Sequence, residues 1–527
     1  MSKDAKFQAA DGDLCLPGTR QAIIASVIKW MNEPHSSTNM LWITGMPGAG
    51  KSAIARTLVD SLKQDLRLGS NFFFTRADAD RCTPLALWCH ILYDLSSKYQ
   101  KFRNAALSAI RDPSFQLGSA KPDTIVDIIV KTLQSLLETD IPHGQRPVIV
   151  IDGLDECRQY SRLLTRERSA ILRGLTRLRD INGPDFKIII TSRHEEDIRS
   201  VLEHDRVGRI HLSAGILVDA DADADIDRFF QFFFKGELKN AGATDEQIEA
   251  LVDQSAGLFI WAKTAVDFIR DRRGFAHHRL AKLIREGLGG EKGDLGTLYH
   301  LVLSDQFTDT PDDGTRAQFL RVVGTMLAAT TPLTRQQLMG LLLAADEEME
   351  TCIVDEWAIL EILQRLSTVL AVTGDTSESR SDEVLQFAHL SFVDYLLDIG
   401  NTGKFYGIDL TAAHTWMGIQ CLAVRNLDVR HKARRIPPKR GDSQPSIPRL
   451  SEDRVRVAAQ YANPHWATHA AKMDLTPDVK SRVDALIQRQ IGSWNEVRAT
   501  LGLNVESLMQ AQTIQSWDEA DQHEELR

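Results

Sequence analysis

The chain has 527 residues, of which 43% are hydrophobic and 25% are charged, and such values are ordinary for a protein that folds around buried cores. Its net charge of −10 gives no support to nonspecific nucleic-acid binding, so we expect no specific nucleic-acid partner. No apolar stretch approaches the roughly 18 residues of a spanning helix, and the N-terminus has no apolar signal core. We therefore predict no membrane segment and a cytoplasmic protein.

The first half of the chain alternates predicted helices with predicted strands. Residues 21–32 place apolar side chains at helical spacing, and several short apolar runs follow, separated by helical patterns. This order predicts an α/β domain in which a mainly parallel sheet has helices on both faces. The predicted strands are the apolar runs at 40–44, 71–75, 147–152, 187–191 and 209–212.

The pattern changes after the stretch "LVDADADADID" at 217–227, which we interpret as a short acidic hinge. Beyond it almost everything is predicted to be helical, except for two short strands at 367–373 and 384–389 that suggest a winged helix. The predicted divisions are an N-terminal segment and helix (1–38), the α/β domain (39–215), a helical domain (216–310), a winged-helix domain (311–402) and a C-terminal helical region with a basic Pro-rich loop at 430–440 (403–527).

Residues 45–52 read "GMPGAGKS" and fit the phosphate-binding pattern G-x-x-x-x-G-K-[ST]. A predicted strand precedes the motif and an amphipathic helix follows it, so backbone N–H groups and the helix N-terminus would face an anion. Lys51 would reach the β- and γ-phosphates, and the Ser52 hydroxyl would bind Mg²⁺. A Gly-rich turn without a ligand is the alternative. The predicted nucleotide contacts of the loop are Gly45, Met46, Pro47, Gly48, Ala49, Gly50, Lys51, Ser52 and Ala53.

Two later strand ends carry polar groups. Asp152 ends the apolar run of "VIVIDGLDEC", where a carboxylate is costly unless it serves a cation, so we expect it to hold Mg²⁺ through water. On the next loop, Asp155 or Glu156 could orient a hydrolytic water; solvated acids at a strand end are the alternative. Arg193 ends "IIITSR", and its planar fork suits a γ-phosphate, with a plain surface arginine as the alternative.

These motifs, in this order, resemble the NACHT family of the STAND class of P-loop NTPases, and most of all the fungal NOD-like receptors. Further stretches carry the resemblance, which covers about residues 15–400. It implies the central module of such a receptor, without a recognisable effector or repeat domain. The further stretches are "CLPGTR" (15–20), "LGSNFFFTR" (68–76), "SAGLFIWA" (255–262) and "FAHLSFVDYL" (387–396).

The resemblance assigns roles to residues that spacing alone does not. It implies that Thr19 and Arg20 lie near the adenine, and that His389 reaches the β-phosphate of bound ADP; without the resemblance, His389 would be a core histidine. The family often has Gly-x-Pro near the base, whereas this chain has "GLF", so Phe259 stands where the proline would be. The implied catalytic set is Lys51, Asp152, Asp155, Glu156 and Arg193.

The resemblance also implies a function. The chain would bind ATP or ADP with Mg²⁺ and hydrolyse ATP slowly. It would work as a signalling switch in fungal non-self recognition, innate immunity or programmed cell death. A closed ADP-bound state would open with ATP and associate with itself or with related NACHT proteins. The alternatives are an AAA+-like remodelling ATPase with fast turnover and a non-hydrolysing scaffold that regulates full-length receptors.

Overall fold

The structure is a computed structural model, and it divides the chain into two compact units, Met1–Leu301 and Val302–Arg527. Among the residues it describes, none of the helices has the length and apolar character needed to cross a membrane. The described residues are 14–33, 38–75, 83–111, 121–136, 147–157, 165–181, 186–214, 220–270, 275–288, 291–307, 312–348, 353–373, 383–398, 400, 405–434 and 449–486.

A five-stranded parallel sheet forms the centre of the first unit, with the order β2–β3–β4–β1–β5. Every residue of the first four strands is buried, which requires cover on both faces of the sheet. The predicted parallel α/β fold is therefore confirmed. The strands are β1 (Met40–Gly45), β2 (Leu68–Phe73), β3 (Val148–Asp152), β4 (Lys187–Ser192) and β5 (Val207–Leu212).

Strand β2 begins earlier than the apolar run that predicts it. Leu68 already pairs with Val148 of β3, although a polar residue, Ser70, follows. The Ser70 hydroxyl donates to the Asp94 carboxylate at 2.7 Å, which satisfies the polar group that the sheet buries. A serine can therefore occupy a buried strand whose apolar pattern begins only at Phe72.

Helices cover this sheet and form its core with it. On one face, Trp42 of β1 and Phe72 of β2 are buried in the same cluster as Trp88 of a helix, and burial of each such side chain contributes about 2–3 kcal/mol. The helices of this part are α1 (Gln21–Asn32), α2 (Lys51–Gln64), α3 (Pro84–Lys98), α4 (Gln100–Arg111), α5 (Pro122–Leu136), α6 (Thr165–Arg179) and α7 (Glu196–Leu202).

The first unit continues with helices alone after β5. Thr244 caps one of them through a reciprocal capping box with Gln247, which fixes where that helix begins. These helices are α8 (Ala220–Lys235), α9 (Asp245–Ser255), α10 (Phe259–Arg270), α11 (Ala276–Lys282), which a π-helical turn (Leu283–Gly287) extends, and α12 (Leu295–Phe307), in which the second unit begins.

The predicted acidic hinge is wrong from residue 220 onward, because these residues form the start of α8; the part before residue 220 lies outside the described residues. Asp221 and Asp223 lie in the first turn, where the helix dipole favours negative charge. Ile226 is buried at helical spacing, and so is Asp225. The acidic residues thus occupy a helix N-terminus, and the low-complexity composition conceals a helical apolar pattern.

The second unit combines helices with a small antiparallel sheet of order β6–β8–β7. Two of its strands are those that the sequence predicts, in shorter form, whereas the two-residue β6 is too short to show a pattern. In chain order the elements are α13 (Asp313–Ala328), β6 (Leu333–Thr334), α14 (Arg335–Glu348), α15 (Glu356–Arg365), β7 (Leu370–Thr373), β8 (Val384–Phe387) and α16 (Leu390–Leu397).

The C-terminal part of this unit is helical, as the sequence predicts. It contains α17 (Leu410–Arg434), α18 (Glu452–Ala470) and a helix at 477–486. Of the predicted basic loop at 430–440, residues 430–434 belong to α17, and residues 435–440 lie outside the described residues, as does the chain after 486. The finer domain boundaries within each unit stay predictions.

Candidate nucleotide-binding site

The phosphate-binding loop connects β1 to α2 and has a backbone that requires glycine. Gly48 and Gly50 have φ angles of 81° and 92°, a left-handed region in which other residues are strained. Gly50 is also the N-cap of α2, so the helix N-terminus opens directly onto the loop. Gly45 ends β1, and the other predicted contacts, Met46, Pro47, Gly48, Ala49, Gly50, Lys51, Ser52 and Ala53, lie on this turn or in the first turn of α2. This arrangement suits an anion.

The Lys51 ammonium lies over the loop. Its Nζ donates to the carbonyl oxygen of Gly45 at 2.8 Å and to that of Met46 at 2.9 Å. Burial lowers the pKa of Lys51, while the nearby carboxylates of Asp155 and Asp152 act in the opposite direction. The side chain is therefore a partly desolvated cation at the mouth of the loop, where a phosphate would replace its carbonyl partners.

Asp152 and Ser52 meet at the end of β3. The Asp152 carboxylate is buried and accepts hydrogen bonds from the hydroxyls of Ser52 and Thr191. Burial raises the pKa of Asp152, and these two hydrogen bonds oppose the increase. The pair offers a hydroxyl and a carboxylate oxygen, the ligands that Mg²⁺ prefers, so the residues fit the ion that the fold implies.

The Mg²⁺ site would not be an all-protein cage. The described residues contain no group of three or more His, Cys, Asp or Glu side chains that could hold a metal ion. Mg²⁺ usually keeps several waters and binds one or two carboxylates together with substrate phosphates. A single carboxylate beside the phosphate loop agrees with that mode of binding.

Asp155 and Arg193 form an ion pair between the ends of β3 and β4. Asp155 Oδ1 accepts the Arg193 backbone N–H at 3.0 Å, and Oδ2 lies 3.1 Å from Arg193 Nε. Asp155 is buried, whereas the Arg193 side chain is 22% exposed and Glu156 is half-buried. Both Asp155 oxygens thus engage Arg193, and Glu156 follows in the turn Leu154–Glu156.

Arg20 contacts the phosphate loop from the N-terminal segment. Its guanidinium donates to the Ala49 carbonyl at 2.9 Å and lies over the Phe259 ring at 4.8 Å, while its backbone N–H donates to Asp225 Oδ2 at 2.9 Å. Arg20 is buried and has a φ of 56°, uncommon for a residue other than glycine. Thr19 is also buried, and its hydroxyl donates to its own segment, to the Leu16 carbonyl.

Phe259 begins α10 beside the loop. The backbone N–H of the next residue, Ile260, donates to the Gly48 carbonyl at 3.1 Å, so this helix is fastened to the loop. The Phe259 ring is half-buried and meets Phe229 of α8 edge to face at 5.9 Å. The sequence did not indicate that Asp225 joins this cluster, because Asp225 is one of several aspartates in an acidic run.

His389 belongs to the second unit and is the N-cap of α16. Its Nδ1 accepts the Ser391 backbone N–H at 3.1 Å and lies 2.7 Å from the Ser391 hydroxyl oxygen. Because a backbone N–H can only donate, Nδ1 is an acceptor and the neutral ring carries its proton on Nε2. The ring is half-buried, and its predicted contact with a nucleotide stays a prediction.

The parallel sheet, the glycine turn before α2 and the polar strand ends define a P-loop NTPase. Residues 18–193 match the family model described as Nephrocystin 3, N-terminal. Vegetative incompatibility protein HET-E-1 of Podospora anserina is 24% identical over 364 residues, which cover 68% of this chain and 24% of that protein. The chain thus spans about a quarter of this relative's length. These matches confirm the predicted resemblance to fungal NACHT-like P-loop NTPases.

Solved structures give weaker matches. The Aeropyrum pernix ORC2 protein, in ADPNP–ADP complexes, is 12% identical, with a TM-score of 0.35 over 74% of this chain and 96% of that chain. Cdc6p from Pyrobaculum aerophilum is 13% identical, with a TM-score of 0.31 over 72% and 92% of the two chains. With TM-scores this low, the assignment of the fold depends on the sheet and the phosphate loop alone.

Proposed function

We propose that the chain is a nucleotide-dependent switch of NOD-like receptor type, which binds ATP or ADP with Mg²⁺ and hydrolyses ATP slowly. The observation that carries the proposal is the convergence of three strand ends. The ends of β1, β3 and β4 bring Lys51, the Ser52–Asp152 pair and Arg193 to one edge of the sheet. The resemblance to a vegetative incompatibility protein supports a role in fungal non-self recognition or programmed cell death, in the cytoplasm.

In this proposal each group at the edge has one task. Lys51 binds the β- and γ-phosphates, and Arg193 senses the γ-phosphate. Ser52 and Asp152 would hold Mg²⁺, which, when bound, neutralises charge on the same phosphates. Glu156 is the better candidate for orienting the hydrolytic water, because both Asp155 oxygens engage Arg193.

The second unit supplies the other half of the proposed switch. The order α13–β6–α14–α15–β7–β8 supports a winged helix, and His389 follows its last strand. With Nδ1 occupied by the Ser391 N–H, the ring presents a donor at Nε2, which suits the β-phosphate of ADP. In the ATP-bound state the contact between His389 and the β-phosphate would be lost. ADP and ATP would then differ in their affinities for the closed and open states, as a switch requires.

The test is to purify the full chain, identify any bound nucleotide, and compare particle mass with ADP and with a nonhydrolysable ATP analogue. We expect a monomer with ADP and self-association with the analogue, with turnover below about 1 s⁻¹. Faster turnover without a change of mass would favour the remodelling ATPase. Binding with neither turnover nor a change of mass would favour the scaffold that regulates full-length receptors.

A further inference from the structure

Arg168 is a buried arginine at the start of α6, in a stretch, "TRERS", whose composition is typical of a surface helix. Its side chain is 1% exposed. Burial of a guanidinium costs free energy unless opposite charges and hydrogen bonds compensate it, so the partners of Arg168 show what the buried charge stabilises. No motif in the sequence points to this residue.

The partners of Arg168 come from two different strand ends. Arg168 Nη1 donates to the Asp155 carbonyl, which follows β3, at 3.4 Å, and Nη2 lies 2.7 Å from Glu195 Oε2. Nε lies 2.8 Å from Asp197 Oδ2. Glu195 and Asp197 follow β4 and lie at the N-terminus of α7. One fork therefore joins the loop after β3 to the loop after β4.

These contacts close a ring around Arg193. Arg168 holds the backbone of Asp155, and the Asp155 carboxylate holds Arg193 at two points. Two residues after Arg193 the chain reaches Glu195, which returns to Arg168. The two-arginine cluster consists of Arg168, Arg193, Asp155, Glu195 and Asp197. The loop that carries Asp155 and the segment that follows Arg193 are thus both fastened to Arg168.

We propose that Arg168 is a positioning residue for the discrimination of ATP from ADP, which it achieves by holding the loop of Arg193 against Asp155. The proposal depends on the proposed function, because it requires that Arg193 senses a γ-phosphate. ADP lacks that group, so its affinity should not depend on where Arg193 points. Lysine cannot replace Arg168, because a point charge lacks the planar fork that donates to Asp155 and Glu195 at once.

The first test compares Arg168→Lys with wild type by calorimetric titration of ADP and of a nonhydrolysable ATP analogue. We expect ADP affinity within about twofold of wild type and analogue affinity about tenfold lower, since misplacement of one charged contact has that order of effect. The matched control is Arg173→Ala on the same helix, whose side chain is 60% exposed and pairs with Asp123 at 3.7 Å. It should leave both affinities unchanged.

A second set of variants keeps the buried arginine. Glu195→Gln and Asp197→Asn alter side chains that are 27% and 43% exposed, so the protein should fold, and each should lower the analogue affinity by a smaller factor. Arg193→Ala should reduce the affinity for the analogue alone. The double variant Arg168→Lys/Arg193→Ala should lose no more analogue affinity than Arg193→Ala, because Arg168 acts through Arg193.

Equal losses of ADP and analogue affinity would show that Arg168 only stabilises the fold, and an unchanged ratio in all these variants would overturn the proposal. If Arg168→Lys fails to fold, the Glu195 and Asp197 variants decide. Lys51→Ala separates the two levels of inference. Normal nucleotide binding by Lys51→Ala would refute the proposed function. Loss of binding by Lys51→Ala, together with an unchanged ratio of analogue to ADP affinity in Arg168→Lys, Glu195→Gln and Asp197→Asn, would refute this inference alone.

Discussion

Two regions of the molecule bury polar side chains in opposite ways. At the carboxyl edge of the sheet, the first unit holds charged groups in pairs, such as Asp155 with Arg193. In the second unit, a buried histidine cluster connects two helices and the turn after α13 through neutral groups. His414 Nδ1 lies 3.1 Å from His469 Nδ1, and His469 Nε2 lies 2.8 Å from the Tyr461 hydroxyl oxygen, with Thr330 beyond it.

The protons of the histidine cluster can be placed in one consistent order. Lys472 Nζ, which can only donate, lies 3.5 Å from His414 Nε2, so His414 accepts there and donates through Nδ1–H to His469 Nδ1 at 3.1 Å. His469 then donates through Nε2–H to the Tyr461 oxygen at 2.8 Å, which also accepts the Thr330 backbone N–H at 2.9 Å. Burial, together with smaller contributions from His414 and Lys472, lowers the pKa of His469 to about 3. His469 is therefore neutral near pH 7.

The comparison separates two uses of buried polarity. Paired charges at strand ends keep donors and acceptors that a ligand can recruit, at the cost of desolvation. A neutral hydrogen-bonded chain fixes the packing of helices and has no charge to offer a ligand. The first region should therefore respond to nucleotide, and the second to acid.

The largest expected effect concerns acid and the histidine cluster. The pKa of His469 is lower in the folded chain than its unfolded value of about 6.5, so its neutral form is stabilised by folding. This contribution is complete above that pH and is lost as pH falls, by about 1.4 kcal/mol per pH unit until pH 3. Hydrogen exchange, corrected for intrinsic rates, should show α17 and α18 opening in acid before β3.

His469→Gln tests the origin of this acid response. The variant should lose about 1–3 kcal/mol of unfolding free energy at pH 7, because a buried network is left incomplete. Its stability should then depend less on pH between 6.5 and 4 than that of wild type. His277→Ala, at an exposed histidine, is the control. An unchanged acid slope in His469→Gln would remove the histidine cluster from the explanation.

The next effect concerns the first region and the nucleotide. Lys51→Ala removes a cation that would bind two phosphates. Affinity for ATP and ADP should fall about 100-fold or more, because about 3 kcal/mol of charged hydrogen bonds would be lost. The melting temperature without nucleotide should change little, because the hydrogen bonds that Lys51 donates go to two loop carbonyls. Calorimetry with both nucleotides measures the first quantity and thermal unfolding the second.

The sequence was informative where structure and chemistry are local. The strands β1, β3 and β4 follow from continuous apolar runs, and the phosphate loop follows from fixed spacing over eight residues, "GMPGAGKS". In both cases the residues that determine the result are neighbours in the chain. Asp152 could be placed at the same edge because parallel strands bring their carboxyl ends together.

Contacts between distant residues could not be predicted in this way. Arg168 meets Glu195 across 27 residues of chain, and Arg20 meets Asp225 across 205. Each is a common charged residue in a polar stretch, and only the fold makes it a buried partner. The hinge prediction failed for a related reason, since acidic composition outweighed the helical spacing of Ile226 and Phe230, which are both buried.

The smallest effect tests whether His389 combines the two uses of polarity. It caps α16 through Nδ1, a structural task, and in the proposed switch it donates to ADP through Nε2. His389→Ala should remove both, with about 1 kcal/mol less stability and about tenfold weaker ADP binding. His389→Asn should keep the cap, since asparagine is a favoured N-cap, and lose only the affinity for ADP.

The two His389 variants therefore distinguish a histidine that binds ADP from one that only caps its helix. Affinity for a nonhydrolysable ATP analogue should stay unchanged in both, because the contact is proposed for the ADP state alone. Calorimetry gives the affinities, and chemical denaturation gives the stability. If His389→Asn binds ADP as wild type does, the histidine only caps its helix, and the difference between nucleotide states must then arise within the first unit, where Arg193 and its buried support are the remaining candidates.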